Sequence, residues 1–239
     1  MADLVGEKVI DGRLAGLLIE CLKGLTKEAK EEIADVADDE VRKELMKGMA
    51  RTMGKISPNE LAIVLNKNDL FIFYTRKAFL KDLDKIADKP GLERLFRGAV
   101  SARGESERFL SDKLSDQVGA LTELQAAAKF EEDIPGSVEI IRPGTSKGGA
   151  DLWLTGQIYV EVTSSAIGNN DALKKLMQAK GAGASKVVIV TKRGTTITDT
   201  TELQKTVNKT RIILSIVKID VSSDGTKTFV ELLKLNPVP

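Results

Sequence analysis

The 239-residue sequence contains no histidine and only one cysteine. Without imidazole, His-based acid–base catalysis, a serine-type triad, His-metal-finger nucleases and most zinc chemistry are excluded. One thiol cannot close an internal disulfide, and Cys21, in an apolar helical stretch, reads as a small buried hydrophobe. Any metal site must therefore use oxygen ligands, which suit hard cations such as Mg²⁺ or Mn²⁺. Long apolar runs are also missing. The longest, Leu14 to Leu22, includes Gly16 and Glu20, far from the ~18–20 apolar residues of a membrane span. The start of the chain lacks a charged-then-apolar leader, so the expectation is a cytoplasmic protein with no membrane span. Charge of one sign is lacking too. The formal net charge is +1, so global balance does not advertise a nucleic-acid partner.

What is present divides into two regions of different periodicity. From Arg13 to about Phe130 the spacing is helical, as in Leu14, Leu17, Leu18, Cys21 and Leu25, and again in Val41, Leu45, Met49 and Met53. Ser57-Pro58-Asn59-Glu60 has the form of a capping box with Pro at the first helical position. Pro90-Gly91 interrupts the pattern, and a long helix is predicted from roughly Glu105 to Phe130. Beyond Pro135-Gly136 the period becomes two. Strands are predicted over 137–141, 150–154 and 158–163, with Thr155-Gly156-Gln157 as the turn between the last two. A helix over 170–180, an apolar strand over 186–191, a helix over 200–209 and a hairpin of strands over 211–221 and 227–235 complete the order. The expected division is a helical domain, 1–103, and an α/β domain, 104–239.

In the third strand Tyr159, Glu161 and Thr163 share one face, and Ile158, Val160 and Val162 the other, apolar one. A hairpin turn near Gly156 brings Asp151 opposite or close to Glu161. Two carboxylates on neighbouring strands can ligate a divalent cation that polarises a phosphate and lowers the pKa of a bound water. The same pair is also a common decoration of a solvated strand face. Three features favour the metal reading: the small-residue approach Lys147-Gly148-Gly149-Ala150, Glu123 on the preceding helix, and Lys174, Lys175 and Gln178 on the following one.

Gly149-Ala150-Asp151-Leu152-Trp153-Leu154 followed by Tyr159-Val160-Glu161-Val162-Thr163 resembles the PD-(D/E)xK phosphodiesterase superfamily of restriction endonucleases, junction resolvases and several toxin nucleases. The resemblance implies an α/β fold in which the helical region precedes a restriction-endonuclease-like αβββαβ core with a mixed sheet, over 114–191. It also implies that Asp151 and Glu161 hold Mg²⁺ or Mn²⁺, that the carbonyl of Val162 joins them, and that Glu123 adds an inner- or outer-shell contact. The sequence departs from the pattern at Ala150, where Pro is usual, and at Thr163, where the family has Lys. Threonine cannot supply positive charge to the transition state. Lys174, Lys175 and Lys147, in that order, are the candidates to replace it.

Between Ala172 and Lys218 ten basic residues face only Asp199 and Glu202, a surface suited to salt-dependent phosphate binding. Lys147, Gln178, Lys180, Lys192 and Arg193 are the expected nucleic-acid contacts. The helical region is acidic and reads as a recognition, dimerisation, protein-partner or delivery module. The leading expectation is an Mg²⁺- or Mn²⁺-dependent endonuclease, with DNA favoured over RNA as the wider superfamily implies. Beside it stand a nuclease-fold nucleic-acid binder without activity, suggested by Thr163, the nuclease module of a bacterial competition toxin, and an α/β assembly protein whose acid pair is incidental.

Overall fold

The computed structural model describes residues 11–35, 38–97, 100–101, 104–105 and 108–238. The chain is a mixed α/β protein, and its first helices begin where side chains satisfy the unpaired N–H groups of a first turn. Asp11 caps α1 (Gly12–Gly24), Thr26 caps α2 (Lys27–Ala34) and Asp38 caps α3 (Asp39–Thr52). The expected capping box of Ser57 and Glu60 opens α4 (Pro58–Asn66), and Thr75 caps α5 (Arg76–Ile86). Their apolar stripes meet in a core containing Leu18, Leu45, Met49, Leu61, Leu65, Phe79 and Leu83. Cys21 is fully buried there, and burial pushes its thiol up to about 12, as an inert core residue requires.

A short helix α6 (Glu93–Phe96) and an antiparallel pair, β1 (Val100–Ser101) with β2 (Gly104–Glu105), lead to α7 (Leu114–Asp133). The helix expected from Glu105 thus starts only at Leu114. Phe109 is the reason: it is drawn into the core against Phe79 and Phe96, and its segment hangs on backbone bonds to Leu95 and Phe96. Burial of that ring outweighs the helical spacing of the segment. From Ala120 to Ala128 α7 is buried on all sides, because helices pack on one flank and a sheet on the other.

That sheet has six strands in spatial order β3 (Val138–Ile141), β4 (Leu152–Leu154), β5 (Ile158–Thr163), β6 (Lys186–Thr191), β7 (Ile213–Val221) and β8 (Lys227–Leu235). β5, β6 and β7 run parallel; the other neighbours are antiparallel. The crossover helices α8 (Asn169–Gly181) and α9 (Thr201–Thr210) cover one face, over Tyr159, Val187, Ile189, Leu214 and Ile216. The other face, with Val160, Val162, Val188 and Val190, joins the core of the helical region. The expected seam at Arg103-Gly104 meets β2, while Arg103 lies outside the described residues; one apolar core extends across it. No helix among the described residues is long and apolar enough to cross a membrane.

Gly91 fastens the helical region to edge strand β3. Its φ is +84°, a Cβ there would lie 1.9 Å from the Ile141 carbonyl oxygen, and the neighbouring Pro90 carbonyl accepts the Ile141 N–H at 2.9 Å. Gly91→Ala is expected to destabilise the protein by about 1–3 kcal/mol, through positive φ and overpacking together. Urea titration followed by circular dichroism checks this; an unchanged midpoint would show that the contact opens without cost.

Candidate active site

β4 is short, so β5 outruns it, and the N–H of Val162 would be left without a strand partner. Asp151, the residue before β4, replaces that missing rung: its N–H donates to the Val160 carbonyl at 3.0 Å, and its Oδ2 accepts the Val162 N–H at 2.8 Å. Because Leu152 pairs with Val160, Asp151 falls opposite Glu161, the juxtaposition expected from the turn at Gly156. Gly156 and Gln157 both take positive φ in that turn.

Glu123 is buried, Asp151 and Glu161 are half-buried, and cations surround all three. Glu123, on α7 and only 2% exposed, accepts Arg142 Nη1 on both carboxylate oxygens, at 2.8 and 2.6 Å, and also Arg108. Arg142 Nη1 reaches Asp151 Oδ1 at a long 3.5 Å. Lys175 Nζ lies 2.7 Å from Glu161 Oε1, while Glu161 Oε2 is buried with no hydrogen-bond partner among the described residues. Burial, and then the charge of Asp151, push the Glu123 carboxyl up to about 8 against the pull of both guanidiniums. Burial and Asp151 likewise raise Glu161, with Lys175 opposing, and burial raises Asp151. Burial and the carboxylate of Glu161 raise the nearby Tyr159 phenol as well. Desolvation is the largest cause for all three acids, and it outweighs the three cations that touch them.

Arg142 and Arg108 are absent from the sequence-based site. Arg142 has a signal in the register: β3 pairs antiparallel with β4, and the Arg142 N–H donates to the Asp151 carbonyl at 2.7 Å, so extending the hairpin aligns the two. Its φ of +47° is a rare conformation for a non-glycine residue and turns the chain after β3 toward Glu123. Arg108 has no comparable signal, since a long-range turn onto α6 delivers it.

Of the three candidate lysines, the structure brings Lys175 to Glu161. α8 buries Ala172, Leu176 and Ala179 against the sheet. At ~100° per residue, Lys175 sits about 60° from Ala172, whereas Lys174 sits about 160° away and is exposed. Lys175, and not Lys174, reaches Glu161. Lys147 lies over the Trp153 ring, 4.4 Å from its centroid. The hydroxyl of Thr163 accepts the Ser165 N–H and closes the end of β5. The small-residue approach also takes a different role. A Cβ on Gly148 would meet the Gln178 carbonyl at 2.9 Å, so that glycine admits α8, while Gly149 is open. Gln178 is half-buried with Oε1 unpartnered; Lys180 and Arg193 are exposed and Lys192 is half-buried.

Among the described residues no group of three or more acidic, Cys or His side chains is arranged to hold a metal ion. Two acceptors nevertheless remain largely unspent: Glu161 Oε2 has no partner among the described residues, and Asp151 Oδ1 has only the long contact to Arg142. Oxygen donors of this kind fit a small hard cation. No family model matches the chain, and no curated protein or solved structure does either.

Proposed function

We propose that this protein is a divalent-metal-dependent nuclease of the PD-(D/E)xK type, hydrolysing phosphodiester bonds, with DNA the favoured substrate on the family resemblance. The observation that carries the reading is the facing of Asp151 and Glu161 across β4 and β5, with Lys175 on Glu161. Mg²⁺ or Mn²⁺ would be held by Asp151, Glu161 and the Val162 carbonyl, and would supply a polarised phosphate and an acidified water. Glu123 acts one layer out, anchoring Arg142 beside Asp151. Lys175 takes the part of the missing strand lysine, offsetting charge that develops on the phosphate. The restriction-endonuclease-like αβββαβ core is supported by the order α7, β3, β4, β5, α8, β6.

The test is cleavage of labelled DNA and RNA with Mg²⁺ or Mn²⁺ and with EDTA. DNA cleavage that EDTA abolishes is expected. Lys175→Met should lower the rate about 10²–10³-fold, the typical loss of one charge-stabilising donor, and Lys174→Met should leave it nearly unchanged. Equal effects of the two would remove Lys175 from the proposed site.

One observation favours a second reading, a nucleic-acid binder without activity. Three carboxylates, Glu123, Asp151 and Glu161, are met by three cations, Arg108, Arg142 and Lys175, which also describes a self-contained ion network. Salt-sensitive binding without cleavage under any metal would select it.

A further inference from the structure

Beyond the C-terminal ends of β5, β6 and β7, a cleft of about 590 Å³ opens beside the first half of α7. This is the edge of an open α/β sheet where ligands commonly bind. Leu70, Tyr74, Val118, Leu121 and Ile219 give it apolar walls. Phe73, 89% exposed, lines it with Ile72, both offered to solvent where burial would be expected. Three polar features break the apolar lining. Gln125 is 1% exposed, and its Oε1 has no hydrogen-bond partner among the described residues. Lys192 is half-buried, and burial holds its ammonium below the usual lysine range, with no carboxylate among the described residues pulling the other way. Arg193 is exposed beside it. Two carboxylates also line the cleft: Asp220 is paired with Lys218 at 2.7 Å, and Asp69 is exposed.

An apolar slot, an acceptor with no donor and an ammonium with no ion pair among the described residues ask for one ligand with a flat body, an N–H and a negative charge. A nucleotide unit has all three. We infer that the cleft receives an unstacked base of a nucleic-acid strand, which lies against Phe73 and donates to Gln125, while the adjoining phosphate rests on Lys192 and Arg193. The identity of the polymer rests on the nuclease reading. The cleft lies at the same end of β5 as that site: Ser164, in its wall, is three residues beyond Glu161, and the Thr163 carbonyl accepts the Lys192 N–H at 3.2 Å. A strand leaving the cleft would pass round this end of β5 to reach Glu161, which lies on the α8 face of the sheet. Because a paired base cannot enter, single-stranded or distorted substrates should be preferred over intact duplex.

Fluorescence polarisation with a labelled single-stranded DNA oligonucleotide in EDTA tests this without catalysis. Lys192→Met and Phe73→Ala are each expected to weaken binding at least ~tenfold, as loss of a charged hydrogen bond or a stacking ring would. Lys192→Arg should restore it, and an abasic oligonucleotide should bind the wild type as poorly as the variants bind the intact one. Phe73 is so exposed that its removal leaves the core untouched, which keeps the test valid if Lys192→Met misfolds. Wild-type affinity in Phe73→Ala, indifference to the abasic site, or a free mononucleotide binding as tightly as the oligonucleotide would each overturn the inference. Metal-dependent cleavage with no dependence on the cleft would sink the cleft alone. Cleft-dependent binding with no cleavage under any metal would sink the nuclease reading and leave the cleft.

Discussion

Asp151→Asn and Glu161→Gln are each expected to lower Mg²⁺-dependent cleavage by at least ~10²-fold while the protein stays folded. Each exchange keeps shape but removes a charge from the pair on which the proposed metal site depends, and single electrostatic contacts in such sites are typically worth 10²–10³ in rate. In Asp151→Asn the amide oxygen can still accept the Val162 N–H if it takes the place of Oδ2, so the join between β4 and β5 should survive. Glu161→Gln likewise retains an oxygen for Lys175. Thr163→Ala, which removes only the contact to Ser165, should cost far less activity. Single-turnover cleavage rates beside thermal unfolding separate loss of chemistry from loss of fold. Variants that cut as well as the wild type would place the active site elsewhere.

A comparably large effect on stability is expected at the join between the helical region and the last hairpin. Asp82 on α5, 1% exposed, accepts Lys227 Nζ from β8 at 2.7 Å and the Tyr74 hydroxyl, and Lys227 also donates to the Gly225 carbonyl at 3.0 Å. Gly225 itself lies so close that a Cβ on it would be 2.5 Å from that of Ala78. Lys227→Met leaves Asp82 as an uncompensated buried charge, and breaking such a pair costs about 3–5 kcal/mol. Burial already raises the Asp82 carboxyl, despite Lys227, and removing the lysine raises it further. An acid whose folded pKa exceeds its unfolded value destabilises the fold above the unfolded value and ceases to do so as it protonates. The variant should therefore regain stability as pH falls from neutral toward the unfolded carboxylate range. The double change Asp82→Leu with Lys227→Met should cost much less than Lys227→Met alone. Denaturant titrations of the single and double variants across pH decide it. A single change worth under ~1 kcal/mol would show the pair to be solvated rather than buried.

Legibility in the sequence differs from element to element. β5, β6 and β8 have the bounds their alternation and apolar content predict, because strand period is a local property read two residues at a time. The capping box at Ser57 and the turn at Gly156 were legible for the same reason: each is closed within four residues. The facing of Asp151 and Glu161 followed from that turn, since a short loop leaves little freedom of register. The start of α7 was not legible, because Phe109 is placed by rings from α5 and α6 far away in sequence.

By itself, then, the sequence determined that a metal, if one binds, has oxygen ligands, and it set a helical region ahead of a mixed sheet and a carboxylate pair at one strand end. Composition and short-range period suffice for all of these. Only the tertiary structure decided which cations surround that pair. Arg108 arrives by a turn onto α6, Arg142 by a positive-φ residue after β3, and Lys175 rather than Lys174 by the way α8 lies on the sheet. Side chains that reach a site from separate elements are selected by packing, and packing leaves no local trace in the chain.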